Sequence, residues 1–457
     1  MNRRQFLSQT AMSGVAMCAP AIIPARALGR NGSVAPSDRI TLASIGLGGQ
    51  GSQNMRAFIS QPDAQLVALC DVNKGSDDYD MLYQFPGSTQ AGLMPALQRA
   101  EQFHQQVGKP FKRDDVSLYH DFRELLLRHD IDAVCVCTPD HWHGLVSRAA
   151  VEAGKDVYCE KPLVNSIPEG RALCQAVQRH NRVLQTGSHE RSNDSVRYAC
   201  ELVRNGRIGK LKEIYINMPN NDPQHLAMQA ITQPRPPRPV PDGLDYEFWL
   251  GPAPYTPYVQ GRTHFWWRYI LEFGGGEMTD RGAHIIDLAQ LINDSDHTGP
   301  IAIDARGRQI KNGIYDCFIE YDFHCTYANG VIMHGGSEGR RGLKLVGTDG
   351  WIFIHIHGGR LEAEPKSILQ ETIGPDEIHV GRSPGHHRDF LNSVRGRTKP
   401  MAHEEIGHRT ASICHLLNIA MLKGDKLEWD PVSERVTNNE EANRLATEKP
   451  MRSPWRL

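Results

Sequence analysis

The sequence has no excess of charge of either sign: 51 lysines and arginines face 53 aspartates and glutamates, a net charge of −2. That balance leaves no electrostatic footprint for nucleic acid or for an anionic membrane surface, so neither is expected as a partner. No apolar run is long enough to span a bilayer; the one near the amino terminus is too short and too rich in small residues. Ten cysteines are present, none with the paired spacing of a zinc ribbon. Cys70, Cys135, Cys137 and Cys159 fall in or beside apolar runs and read as buried free thiols. No metal site is expected. His355 and His357 read as sharing a strand face and His386 and His387 are adjacent, but no acidic residue has a matching spacing. There is no internal repeat.

What is present begins with Met1-Asn2-Arg3-Arg4-Gln5-Phe6-Leu7, an apolar small-residue stretch to Ile23, and Pro24-Ala25-Arg26-Ala27. This reads as a twin-arginine export signal cleaved after Ala27. Met17 before Cys18 argues against lipidation. The expected location is the periplasm, reached in the folded state. A cofactor loaded before export must then either stay bound and be regenerated within each turnover or meet a second substrate that restores it. Folding before export also argues against a disulfide framework.

The segment Gly46-Leu47-Gly48-Gly49-Gln50-Gly51 follows the apolar strand pattern 39–45 and precedes a helical pattern from Ser52. That is the setting a dinucleotide-binding G-x-G-x-x-G requires. Gly46 permits the tight turn, Gly48 lets backbone approach a pyrophosphate, and Gly51 lets helix and strand pack closely. A second strand, 66–70, ends at Asp71, whose carboxylate can hold both ribose hydroxyls and repel a 2′-phosphate. The expected cofactor is NAD rather than NADP.

Strand and helix patterns alternate to about residue 190, which predicts a doubly wound parallel sheet. From about 212 the strands lengthen and alternate in polarity, which predicts a large, open, mostly antiparallel sheet. The expected organisation is a leader over 1–27, a Rossmann domain over 36–190 and an α+β domain for substrate binding and oligomerisation over 191–457. A Pro-rich loop lies at 233–241, and a helix is expected near 403–423.

Three further segments carry chemistry. Thr138-Pro139-Asp140-His141-Trp142-His143 and Glu160-Lys161-Pro162 each follow a parallel strand at its carboxyl end, where open α/β sheets bind ligands. The third, 274–284, contains Asp280 and His284, four apart, which on one helix share a face. His264-Phe265-Trp266-Trp267-Arg268 offers rings to stack on a sugar and a guanidinium to bind its hydroxyls.

Together these motifs resemble the glucose–fructose oxidoreductase / inositol dehydrogenase (Gfo/Idh/MocA) superfamily over nearly the whole mature chain. The likeness is greatest to its exported bacterial members, which share Thr-Pro-Asp-His-Trp-His and the stretch seen here at 243–254. The resemblance implies Lys161, Asp280 and His284 as the catalytic group. A histidine suits removal of a hydroxyl proton, and an ammonium suits charge building on that oxygen. The expected cofactor contacts are Gly46, Leu47, Gly48, Gln50, Gly51, Asp71, Thr138, Pro139, His143, Glu160 and Lys161. Expected substrate contacts are Trp266, Trp267, Arg268 and Arg281. Arg281 stands where the nearest relatives carry a bulky aromatic; it either favours an acidic substrate or pairs with a nearby carboxylate.

The function expected from this is hydride transfer from a secondary ring hydroxyl of a sugar or glycoside, such as that at C3, to tightly bound NAD. The alternatives are a redox-neutral glycoside hydrolase working by oxidation, elimination, hydration and reduction, and a non-catalytic NAD-binding sensor. By resemblance, a homo-oligomer, dimer or tetramer, is expected.

Overall fold

The computed structural model describes residues 34–79 and 82–456; the leader at 1–27 lies outside them. Strands β1 (Ile40–Ile45), β2 (Ala64–Cys70), β3 (Ser117–Tyr119), β4 (Ala133–Val136), β5 (Asp156–Cys159) and β6 (Leu184–Thr186) form a six-stranded sheet in the order β3-β2-β1-β4-β5-β6. Every pairing in it is parallel. Every residue of β4 and β5 is buried, as strands covered by helices on both faces must be. Strand order reverses between β1 and β4, so a crevice opens at their carboxyl ends.

Two helices of this half start earlier than their sequence patterns suggest. Gly49–Ile59 includes the last glycines of the fingerprint, and Asp140–Glu152 begins within the Thr-Pro-Asp-His-Trp-His motif. Glycine's low helix propensity hides the first start. The second is hidden because Pro139 sits just outside the helix, and the polar residues after it give no apolar period.

The second sheet has nine strands: β7 (Leu211–Asn217), β8 (Ala302–Gln309), β9 (Phe318–Thr326), β10 (Ile332–Gly336), β11 (Gly342–Gly347), β12 (Trp351–Ile354), β13 (Leu361–Glu364), β14 (Leu427–Asp430) and β15 (Arg435–Val436). Their order is β13-β12-β11-β7-β10-β9-β8-β14-β15. Only β7 and β10 pair parallel; the other neighbours run antiparallel. In β9, Tyr321, Phe323 and Cys325 are buried while Glu320, Asp322 and His324 are exposed, so one sheet face carries the core and the other is open. Helices Asp194–Arg204, Gly282–Ile292 and Glu404–Lys423 share that core. Every residue of Gly282–Ile292 is buried, which fixes firmly whatever its amino end presents.

An aromatic cluster containing Tyr246, Trp249, Trp266, Tyr269, Phe273 and Tyr315 packs the connections before β8 and β9. Among the described residues all nine cysteines are free; eight are buried and Cys137 is half-buried. No described helix is long and apolar enough to cross a membrane.

Candidate active site

The glycine-rich turn forms the floor of a cleft. Gly46 has φ +86°, and a Cβ there would lie 2.6 Å from the backbone of Cys137 and Thr138. A Cβ on Gly51 would overlap the Gly46 carbonyl oxygen, so β1 and the helix Gly49–Ile59 meet backbone to backbone. No N-cap side chain bonds back to that helix; the Tyr79 hydroxyl faces the Gly49 amide, and the next N–H groups are directed toward an anion's place. The Asp71 carboxylate accepts from the amides of Leu47 (2.6 Å) and Asn73 (2.8 Å), which fixes it at the end of β2 beside the glycines. Burial pushes its pKa above the ordinary value, against the pull of those two amides.

Glu160 and Lys161 follow β5. The Glu160 carboxylate accepts from Asn54 Nδ2 at 2.7 Å and Gln50 Nε2 at 3.3 Å, tying the Glu-Lys-Pro turn to the glycine-loop helix. The ring nitrogens of His143 face the carbonyl oxygens of Pro162 (2.7 Å) and Thr138 (2.8 Å), so this buried imidazole bridges the turns after β4 and β5. All eleven expected cofactor contacts line the cleft, and the Thr138 hydroxyl oxygen is buried without a protein partner. A glycine cradle, a helix amino end, a ribose-side carboxylate and an orphaned hydroxyl fit a dinucleotide.

Across the cleft stands the second sheet's contribution. Lys161 Nζ donates to Asp280 Oδ1 at 2.5 Å and to the Asp280 carbonyl at 3.0 Å. Arg268 Nε lies 3.5 Å from the same carboxylate oxygen. Burial alone would raise the Asp280 pKa, but Lys161 and Arg268 outweigh it and hold the carboxyl far below its usual range. His284 is buried, and its Nδ1 has no protein partner. Burial, then the charges of Lys161, His189 and His357, push its pKa well below the ordinary histidine value, so the ring is neutral.

Asp280 and His284 do share the cleft, but not as residues of one helix. The helix is Gly282–Ile292, and Asp280 precedes it in the turn after the single-turn helix Gly276–Met278. The glycines before Asp280 favour that turn over a further helical turn.

Of the expected substrate contacts, Trp267, Arg268 and Arg281 line the cleft and Trp266 does not. In the single turn Trp266–Tyr269 adjacent side chains diverge, and Trp266 packs against Phe265, Tyr269 and Tyr315. The Arg268 guanidinium lies 4.5 Å from the Trp267 ring centre. Arg281 pairs with Asp222, and with Glu277 at 3.5 Å.

His141 Nε2 and Trp142 Nε1 both reach the Trp249 carbonyl, at 2.9 and 3.0 Å. A Cβ on Gly251 would overlap the Trp142 ring. The motif after β4 therefore clasps the 243–254 stretch, which brings the aromatic segment to the cleft.

His355 and His357 do not share a strand face, because β12 ends at Ile354. His355 Nε2 meets Glu362 at 2.7 Å, whereas His357 turns into the cleft and meets Glu190. His386 is engaged with the Thr186 carbonyl at 3.1 Å and His387 with Asn54 at 3.0 Å. Sequence reasoning missed Tyr79 and Tyr83 in the cleft wall, which His264 of the aromatic run also lines. The Tyr79 ring lies 4.7 Å from that of His264, and its hydroxyl sits over Gly48.

Two family profiles match the chain: "Oxidoreductase family, NAD-binding Rossmann fold" over 83–188 and "Oxidoreductase family, C-terminal alpha/beta domain" over 195–457. A "Glycosyl hydrolase family 109 protein" of Solibacter usitatus is 29% identical over 218 residues, 46% of this chain and 44% of its own length. "D-glucoside 3-dehydrogenase" of Escherichia coli is 27% identical over 186 residues, 40% of this chain and 44% of its own length. The matched part spans less than half the length of the curated relatives. The structure of an aldose-aldose oxidoreductase from Caulobacter crescentus superposes with a TM-score of 0.59 at 16% identity, covering 85% of this chain and 99% of that one. With one profile covering more than half of its length and the other residues 83–188 of the Rossmann domain, the chain belongs to the Gfo/Idh/MocA family of NAD-binding oxidoreductases.

Proposed function

We propose that this protein oxidises a secondary ring hydroxyl of a sugar or glycoside, at C3 by preference, with tightly held NAD. One observation carries the reading: Lys161, from the nucleotide-binding sheet, meets Asp280 at 2.5 Å beside the buried His284 in the same cleft as the glycine loop. The His284 imidazole takes the hydroxyl proton. The Lys161 ammonium, held by Asp280, stabilises the oxygen as charge builds on it in a cleft shielded from water. Trp267 and Arg268 present a ring and a guanidinium for the sugar's face and hydroxyls. The bound nicotinamide supplies the hydride acceptor. The Asp71 carboxylate favours NAD, since a 2′-phosphate would meet its charge. Action in the periplasm is supported by the twin-arginine leader, and trapped NAD suits it.

The likeness to a glycosyl hydrolase favours one further reading, a redox-neutral hydrolase. In it the ketone at C3 acidifies C2, the aglycone leaves, water adds and the ketone is reduced again. One assay separates the two: nitrophenyl glycosides incubated with the purified protein, no cofactor added, and analysed by mass spectrometry. A dehydrogenase gives a product lighter by about two mass units, at about one equivalent of enzyme. A hydrolase gives many turnovers to free sugar and nitrophenol. Unchanged glycosides with externally added NAD present would overturn both.

A further inference from the structure

We propose that His189, Glu190 and His357 bind a divalent transition-metal ion on the wall of the active-site cleft. His189 and Glu190 come from the loop after β6, and His357 from the turn after β12. One ligand atom from each lies within 4.8 Å of the others. His357 Nδ1 is 3.0 Å from Glu190 Oε1, and His189 Nε2 is 3.6 Å from the same oxygen. Two ligands each about 2.0–2.1 Å from a tetrahedral ion lie about 3.4 Å apart, so these separations bracket the required one.

The site is built on one fixed member and one adjustable member. The Glu190 side chain is 4% exposed and also accepts the His357 amide at 3.1 Å. The His189 side chain is 48% exposed, and a small shift of its ring toward Glu190 closes the set. Two imidazoles and one carboxylate suit zinc or cobalt, and three protein ligands leave coordination positions open, the arrangement of a catalytic rather than a structural site.

A separate observation points to a ligand there. His284 is 7% exposed, and its Nδ1 has no protein partner. Its ring centre lies 4.8 Å from that of His189 and 5.5 Å from that of His357, and all three rings line the cleft. An ion held by the trio lies beside the His284 ring, where an oxygen on the metal, from water, a hydroxyl or a ketone, can share a proton with it. Asp280 is not part of the set, because Lys161 and Arg268 take its charge.

Metal binding does not depend on hydride transfer, so its test stands apart from the glycoside assay. Tag-free protein is stripped with a chelator, dialysed and titrated with Zn²⁺ and with Co²⁺, with calorimetry and the visible cobalt spectrum as readouts. One equivalent of each per chain is expected. In Glu190→Gln and in His189→Ala the affinity falls by about tenfold or more, since loss of a supporting group alone reaches that size. Should Glu190→Gln fail to fold, His189→Ala decides, because its ring is half exposed and its loss leaves no buried polar group without a hydrogen-bond partner. Absence of stoichiometric binding in the parent protein, or unchanged affinity in a folded His189→Ala protein, overturns the proposal.

Discussion

Lys161 Nζ contacts both the carboxylate and the backbone carbonyl of Asp280, at 2.5 and 3.0 Å, so one ammonium ties the nucleotide-binding sheet to the turn that leads into His284. The pair is well shielded, with side-chain exposures of 14% and 23%. A charge held this way is already in place when a substrate oxygen needs it, and the protein has nothing left to rearrange.

Replacing that ammonium separates chemistry from cofactor binding. In Lys161→Ala, kcat is expected to fall by about a hundredfold to a thousandfold, the cost of removing one preorganised group from a developing oxyanion. The glycine cradle and Asp71 are untouched, so NAD⁺ remains bound. Steady-state kinetics set beside the nucleotide content of the purified variant check this. Normal turnover would remove Lys161 from the mechanism.

The pH profile reports on His284. The base must be neutral, and burial together with Lys161, His189 and His357 holds its pKa well below the ordinary 6.5. Activity therefore persists as pH falls through 6.5 and is lost only where the ring finally takes a proton. The acid limb of kcat/KM, which reports groups of the free enzyme, is expected below that value. An acid limb at 6.5 or higher contradicts the assignment.

The parts of this site that were legible in the sequence are those whose partners lie close along the chain or follow a strand by rule. Gly46 and Gly51 have to pack against neighbouring backbone, and Asp71 and Lys161 sit directly after β2 and β5. Other parts depend on distant segments meeting. Glu190 and His357 are 167 positions apart, and alternation along a strand wrongly paired His357 with His355. Trp266 and Trp267 look equivalent as letters, yet a single helical turn sends one to the core and the other to the cleft. His143, expected as a cofactor contact, lines the cleft, and nothing in the local sequence signals that its ring nitrogens also face two carbonyls of the cleft's turns.

The proposed preference for NAD over NADP rests on Asp71. Removing its charge in Asp71→Ser takes away a charged acceptor worth about 1.5–3 kcal/mol to bound hydroxyls, which is about tenfold to a hundredfold in affinity. NAD⁺ binding is expected to weaken by that factor, and NADP⁺ to gain relative to it. Nucleotide titration of both proteins measures the ratio. An unchanged preference places ribose recognition elsewhere.

A deeply buried ion pair supports the site from behind. Arg191 Nε donates to Asp287 Oδ2 at 2.7 Å, and its Nη atoms donate to Asp296 at 2.7 and 2.9 Å. The Arg191 and Asp287 side chains are 2% and 1% exposed, and Thr410 adds a hydroxyl to Asp287 at 3.2 Å. This joins the loop carrying His189 and Glu190 to the helix carrying His284. Replacing the guanidinium with an apolar chain of similar reach, Arg191→Met, strands the Asp287 carboxylate in a fully buried site. The expected loss is about 3–5 kcal/mol, the range for breaking one side of a buried pair. Removing both charges in Arg191→Met with Asp287→Leu recovers much of that loss, because no charge of the pair is then left buried. Urea unfolding of the single and double variants measures the difference. A double variant less stable than the single one would show that the pair stabilises the fold beyond satisfying its own burial.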